Sequence, residues 1–142
     1  MARGFTLLEL TIVLLIAGFM LAMAVRPTRR VLDHYAADAA ARDVTTLLAT
    51  ARHTAIAWGC RTRLQLGPDS LTIDTLGASG WGRYRWWPGP AAAGVALWTN
   101  NPVVTFGPHG VGWGVSNTSV RLSRGSHVET VIVSRLGRVR RG

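Results

Sequence analysis

Residues 1–15, MARGFTLLELTIVLL, decide how the chain is read. From Phe5 to Val25 every residue is uncharged except Glu9. As a helix, about 21 residues would run roughly 32 Å, enough to cross a bilayer. A lone acid in such a stretch costs on the order of 2.5–3.5 kcal/mol on insertion scales, so it calls for a partner. A secretory signal peptide fits poorly, because the apolar run is long and begins almost at the initiator. A plain membrane anchor would leave Glu9 unexplained.

Working outward, 142 residues with 48% hydrophobic and 16% charged composition make a folded chain, with room for one domain and one long segment. Net charge is +9, and all sixteen basic residues are arginine. A pI near 11.7 points to polyanionic partners, nucleic acid or an anionic surface. Cys60 is the single cysteine, so no intrachain disulfide can form.

Pro27 removes one helical hydrogen bond and is expected to kink or melt a helix locally. Apolar residues then return at steps of three and four: Leu32, Ala36, Ala40, Val44, Leu47, Leu48, Ala51, Ala55 and Trp58. Asp33, Asp38, Arg42, Asp43 and Arg52 fall elsewhere. The pattern predicts an amphipathic helix over 26–58, ended by Gly59. Its apolar stripe requires a cover.

Strands supply it. RTRLQL (61–66) and LTID (71–74) alternate around the turn residues GPDS, with Leu64, Leu66, Leu71 and Ile73 inward. Residues 77–94 read as loop with one short strand near Tyr84, PVVTF (102–106) as a strand, and 107–117 as loop. SVRLS (119–123) and ETVIVS (129–134) form a hairpin around Gly125, followed by RLGRVRRG. Strands after one long helix define an α+β chain.

The start of the chain resembles the cleavage and methylation signal of type IV pilins and type II secretion pseudopilins. The likeness lies in RGFTLLEL: a basic mini-leader, Gly4 before Phe5, a Thr, and Glu9 at the fifth place from Phe5. It implies cleavage after Gly4 by a prepilin peptidase and methylation of the new amine on Phe5. It also implies an assembly role for Glu9, whose carboxylate would pair with the freed amine of a neighbouring subunit. Arg26, Arg29 and Arg30 outnumber Arg3, so counting positive charges alone would reverse the family's orientation.

The β-rich remainder, without a second large helix, is similar in layout to minor pseudopilins of the GspH and FimT type. The implied fold is α+β and pilin-like, one long N-terminal helix with a transmembrane half and an amphipathic half, packed under an antiparallel sheet. The boundaries expected are a leader at 1–4, a transmembrane half at 5–25, an amphipathic half at 26–58 and a β-rich domain at 59–142. The implied location is the inner membrane, as a single-pass protein with its domain periplasmic, then a filament tip. Partners would be the peptidase, other pseudopilins or pilins and an inner-membrane assembly platform.

Residues 121–142 carry six arginines against one glutamate, a net +5. GRVR at 137–140 resembles the GRxR motif near the C-terminus of FimT-like minor pilins, where it is associated with DNA binding during uptake. On that resemblance Arg138 and Arg140 would meet phosphates, Gly137 would let the backbone turn, and Arg141 would add to the field. A solvated basic edge accounts for the same charges. WGRYRWWPG (81–89) interleaves aromatics with arginine, as base-stacking platforms do, but reads better as a packed hairpin or loop.

Catalytic motifs are missing. His34, His53, His109 and His127 are scattered without metal-ligand spacing, no CxxC occurs, and no phosphate-cradling loop is present. The chain is therefore read as no enzyme, with no metal and no cofactor.

Overall fold

The computed structural model describes residues 6–114 and 117–142, and the chain divides into two units, residues 1–32 and 33–142. One helix, α1 (Leu7–Ala57), contributes to both. Eight strands follow among the described residues: β1 (Thr62–Leu66), β2 (Ser70–Gly77), β3 (Gly80–Pro88), β4 (Ala96–Thr99), β5 (Val103–Phe106), β6 (Thr118–Arg124), β7 (His127–Val133) and β8 (Val139–Arg141).

In the first unit, Thr6 caps α1. Its Oγ1 accepts the Glu9 N–H at 3.2 Å, and its carbonyl accepts that of Leu10. Glu9 thus lies in the first turn, where unpaired N–H groups favour a negative charge. Apolar side chains from Leu7 to Met23 are exposed all round, Leu15 by 72%.

Two expectations for this segment are corrected. Among the described residues, no helix is long and apolar enough to cross a membrane. The single-pass, inner-membrane location with a periplasmic domain is thereby overturned. Local melting at Pro27 is not seen either, since α1 continues through it. A proline inside a helix forfeits one backbone bond, and the bonds around it hold the turn.

In the second unit, α1 buries Ala37, Ala41, Val44, Leu48, Ala51 and Ala55, with Ala40 and Leu47 beside them. Short alanines let other layers approach the helix closely. The helix ends in a Schellman motif: Gly59 takes φ +59°, Cys60 N–H donates to the Ala55 carbonyl, and Gly59 N–H donates to that of Ile56. Gly59 is the expected stop.

The strands form two antiparallel sheets, not one. The first has the order β3-β2-β1-β5 and the second β4-β6-β7-β8. Leu64, Leu66, Leu71, Ile73, Val104 and Phe106 of the first meet Val120, Leu122, Val131 and Val133 of the second and the helix stripe in one core. β1 and β6 alternate inward and outward residues, as strands of a half-covered sheet do, while β2 buries Leu71 to Asp74 in succession.

Residues 80–88, read from sequence mainly as loop, are the nine-residue strand β3. Gly80 and Gly82 at its start and Pro88 at its end concealed it, but Pro88 sits at the strand's end on the sheet edge, where no ladder bond is required of it. β4 was also unforeseen, being at four residues too short to show a period; β8 falls in the basic end, read from sequence as an edge, and is the edge strand of the second sheet.

Candidate functional site

Gly4 and Phe5, the expected cleavage and methylation pair, lie outside the described residues. Glu9 is exposed in the first turn of α1, on the stretch whose apolar residues are also exposed.

The basic end is built on β8. Its register sets Val139 opposite Val133, Arg140 opposite Ile132 and Arg141 opposite Val131. Val139 packs against the core, while Arg138, Arg140 and Arg141 are exposed. Their electrostatic settings differ. Arg141 donates to the Asp38 carboxylate on α1 and, at 3.4 Å, to Glu129 Oε2 on β7. That hydrogen bond to Asp38, aided by the charges of Arg141 and Arg42, holds the Asp38 carboxyl below the usual aspartate range despite some desolvation. Arg138 and Arg140 form no ion pair among the described residues. Arg138 also lines an open groove of about 660 Å³ with Leu48, Arg52, His53 and Ile56.

Gly137 is buried with φ +74°, and a Cβ there would lie 2.6 Å from the Gly110 carbonyl oxygen. Both the left-handed backbone and the close approach demand glycine. The turn expected of Gly137 is present, and packing against the loop at Gly110 accounts for it.

β3 sorts its aromatics by face. A bulge between Ile73 and Asp74 shifts the register, so Tyr84 and Trp87 both pack against the core while Trp81 and Trp86 stay exposed. The Arg63 guanidinium lies 4.5 Å over the Trp81 ring, and Arg61 lies 3.9 Å over Trp113. Arg63 Nε and Gln65 Nε2 both donate to Asp74 Oδ2, at 2.8 and 2.6 Å.

Sequence reasoning missed one constellation. Two of the four histidines, taken as scattered, meet: His34 Nδ1 lies 3.0 Å from His127 Nε2, with Glu129 Oε1 3.1 Å from the same nitrogen. His34 and His127 are 93 positions apart, so no local spacing could have signalled it.

No family profile matches the chain, and no curated protein matches it. Its fold is similar to the crystal structure of the type IV minor pilin FimU of Pseudomonas aeruginosa (strain PAO1) in space group P21. Identity is 19%, over 72% of this chain and 85% of that one, with a TM-score of 0.62. The crystal structure of the same minor pilin in space group P65 gives 17% identity over 74% and 91%, again at a TM-score of 0.62. The architecture is thus α+β and pilin-like, a long N-terminal helix against antiparallel sheet.

Proposed function

We propose that this chain is a minor pseudopilin, a structural subunit of a type II secretion or type IV pilus filament. A prepilin peptidase would process it after Gly4, and it would assemble with other pilins and an assembly platform through its N-terminal helix. One observation carries this reading: the helix half from Leu7 to Met23 exposes its apolar side chains all round, while the half beyond Asp33 is covered by pilin-like sheets. A contiguous apolar surface of that extent is an interaction surface. Packing like helices side by side would cover it, and Glu9 near its start would meet the freed amine of a neighbour.

The test follows Glu9→Ala in cells with a working peptidase and filament machinery. The variant is expected to lose recovery in the sheared filament fraction while keeping a folded domain, and the wild-type chain is expected to lack Met1 to Gly4 by mass. Retention of the leader, or assembly of the variant at the wild-type level, overturns the proposal.

A second reading rests on the exposed Arg138 and Arg140, which no acid neutralises among the described residues. The subunit would contact DNA phosphates through them, and Arg141, occupied by Asp38 and Glu129, would contribute little. Binding of duplex DNA by the full chain should weaken steeply between about 50 and 200 mM salt. Arg138→Ala with Arg140→Ala should flatten the log–log slope by roughly 0.9 for each phosphate no longer neutralised. An unchanged slope in that double variant removes this reading.

A further inference from the structure

His34 stands on α1, and His127 and Glu129 stand two positions apart on β7, so that strand alternation sends both of the latter to one face. The imidazole rings meet edge to face, with centroids 4.3 Å apart and planes at 86°. His34 Nδ1, His127 Nε2 and Glu129 Oε1 all lie within 4.8 Å of one another.

Hydrogen bonding alone serves this arrangement badly. Neutral imidazole has one N–H and one lone pair, and a carboxylate only accepts. If His127 Nε2 carries hydrogen, that one hydrogen faces two acceptors, His34 Nδ1 and Glu129 Oε1. If His34 Nδ1 carries it instead, the bare His127 nitrogen is left against the carboxylate oxygen 3.1 Å away. A divalent cation would engage all three lone pairs.

The spacing suits one. A tetrahedral ion with bonds of about 2.0–2.1 Å holds its ligand atoms roughly 3.3–3.4 Å apart. The two short separations, 3.0 and 3.1 Å, need to open by only a few tenths of an ångström, and the third, between His34 Nδ1 and Glu129 Oε1 and within 4.8 Å, needs to close toward the same value by a turn of the exposed His34 side chain. Two imidazoles and one carboxylate match the preferences of zinc. Support behind the ligands is present too: Arg141 holds the other oxygen of Glu129, and Asp38 holds Arg141. His34 is exposed, so water can reach the fourth position.

We propose that His34 Nδ1, His127 Nε2 and Glu129 Oε1 form a zinc site that ties α1 to β7. The ion would brace the helix against the second sheet, joining residues 93 positions apart in sequence. No chemistry on a substrate is implied, because the role is structural.

The experiment uses the full chain in mild detergent, stripped of metal, in a Cys60→Ser background so that the thiol does not compete. Zinc is titrated at pH 7.5 by calorimetry, with thermal unfolding followed in parallel. One zinc per chain is expected, with a Tm rise of about 5 °C at saturating metal. His127→Ala and Glu129→Gln should each weaken binding at least tenfold and remove the Tm rise, whereas His53→Ala and His109→Ala should change neither. His34→Ala, at an exposed helix position, should also lose binding while keeping the wild-type far-UV dichroism. Absence of saturable one-to-one binding, or binding by the His34→Ala and His127→Ala variants equal to wild type, overturns the site.

Discussion

Arg52 of α1 reaches across to Gly137, donating from Nη1 to its carbonyl at 3.4 Å while Nε donates to the Gly110 carbonyl at 2.9 Å. One guanidinium therefore fastens two loops to the helix, and the turn that launches β8 is one of them. The glycine of the GRVR motif is held in place from a residue 85 positions earlier.

Arg52→Ala should lower unfolding stability by about 1–3 kcal/mol, since both carbonyls are deprived of a charged donor. Gly137→Ala should cost about 2 kcal/mol or more, because it adds strain at positive φ to a clash with the Gly110 oxygen. Urea midpoints of the full chain in detergent measure both. If the two changes act on the same junction, the double variant should fall by less than the sum of the singles.

Acid sensitivity should centre on Asp38. Its folded-state pKa is held down first by the Arg141 hydrogen bond, so the pair's stabilisation is complete above the unfolded aspartate value near 3.9 and fades as pH falls through the lower folded value. Arg141 stays protonated throughout, its own pKa being raised by Asp38. Arg141→Ala should therefore flatten the dependence of the urea midpoint on pH between about 5 and 2. An unaltered acid limb in that variant would show that other carboxylates set it.

Asp74 is buried beside a bulge and accepts from both Arg63 and Gln65. Asp74→Ala should destabilise by about 1–3 kcal/mol, with two polar donors left without an acceptor at the sheet face. Asp74→Asn should recover part of that stability if the hydrogen bonds matter more than the charge. Chemical denaturation of the two variants side by side separates the two effects, and the Arg63 stack on Trp81 should loosen in both, read as a change in tryptophan emission.

The parts of the fold legible beforehand were those governed by local period. β1, β5 and β6 fall where alternation put them, and Gly59 stops the helix. Period two cannot tell one sheet from two, and the split between β3-β2-β1-β5 and β4-β6-β7-β8 depends on long-range pairing. β3 was hidden because its bulge breaks alternation: Tyr84 and Trp87 face the same way despite odd spacing. The histidine pair and the Arg141 clamp on Asp38 were invisible for a simpler reason. Their members are 93 and 103 residues apart.

Helix periodicity located the buried stripe but misjudged its ends, and that error yields a test. Leu32 and Trp58, expected in the stripe, are 55% and 56% exposed, while Ala41, which the pattern omitted, is fully buried under the sheets. Hydrophobicity ranks leucine and tryptophan above alanine, but close approach of the sheets selects the small side chain. Ala41→Leu should therefore cost about 1–3 kcal/mol by overpacking, although it makes the helix more apolar. Leu32→Ala should leave stability within about 0.5 kcal/mol. Unfolding midpoints for the two variants should move in that unequal way; an Ala41→Leu variant as stable as wild type would mean that the sheets do not close on α1 as described.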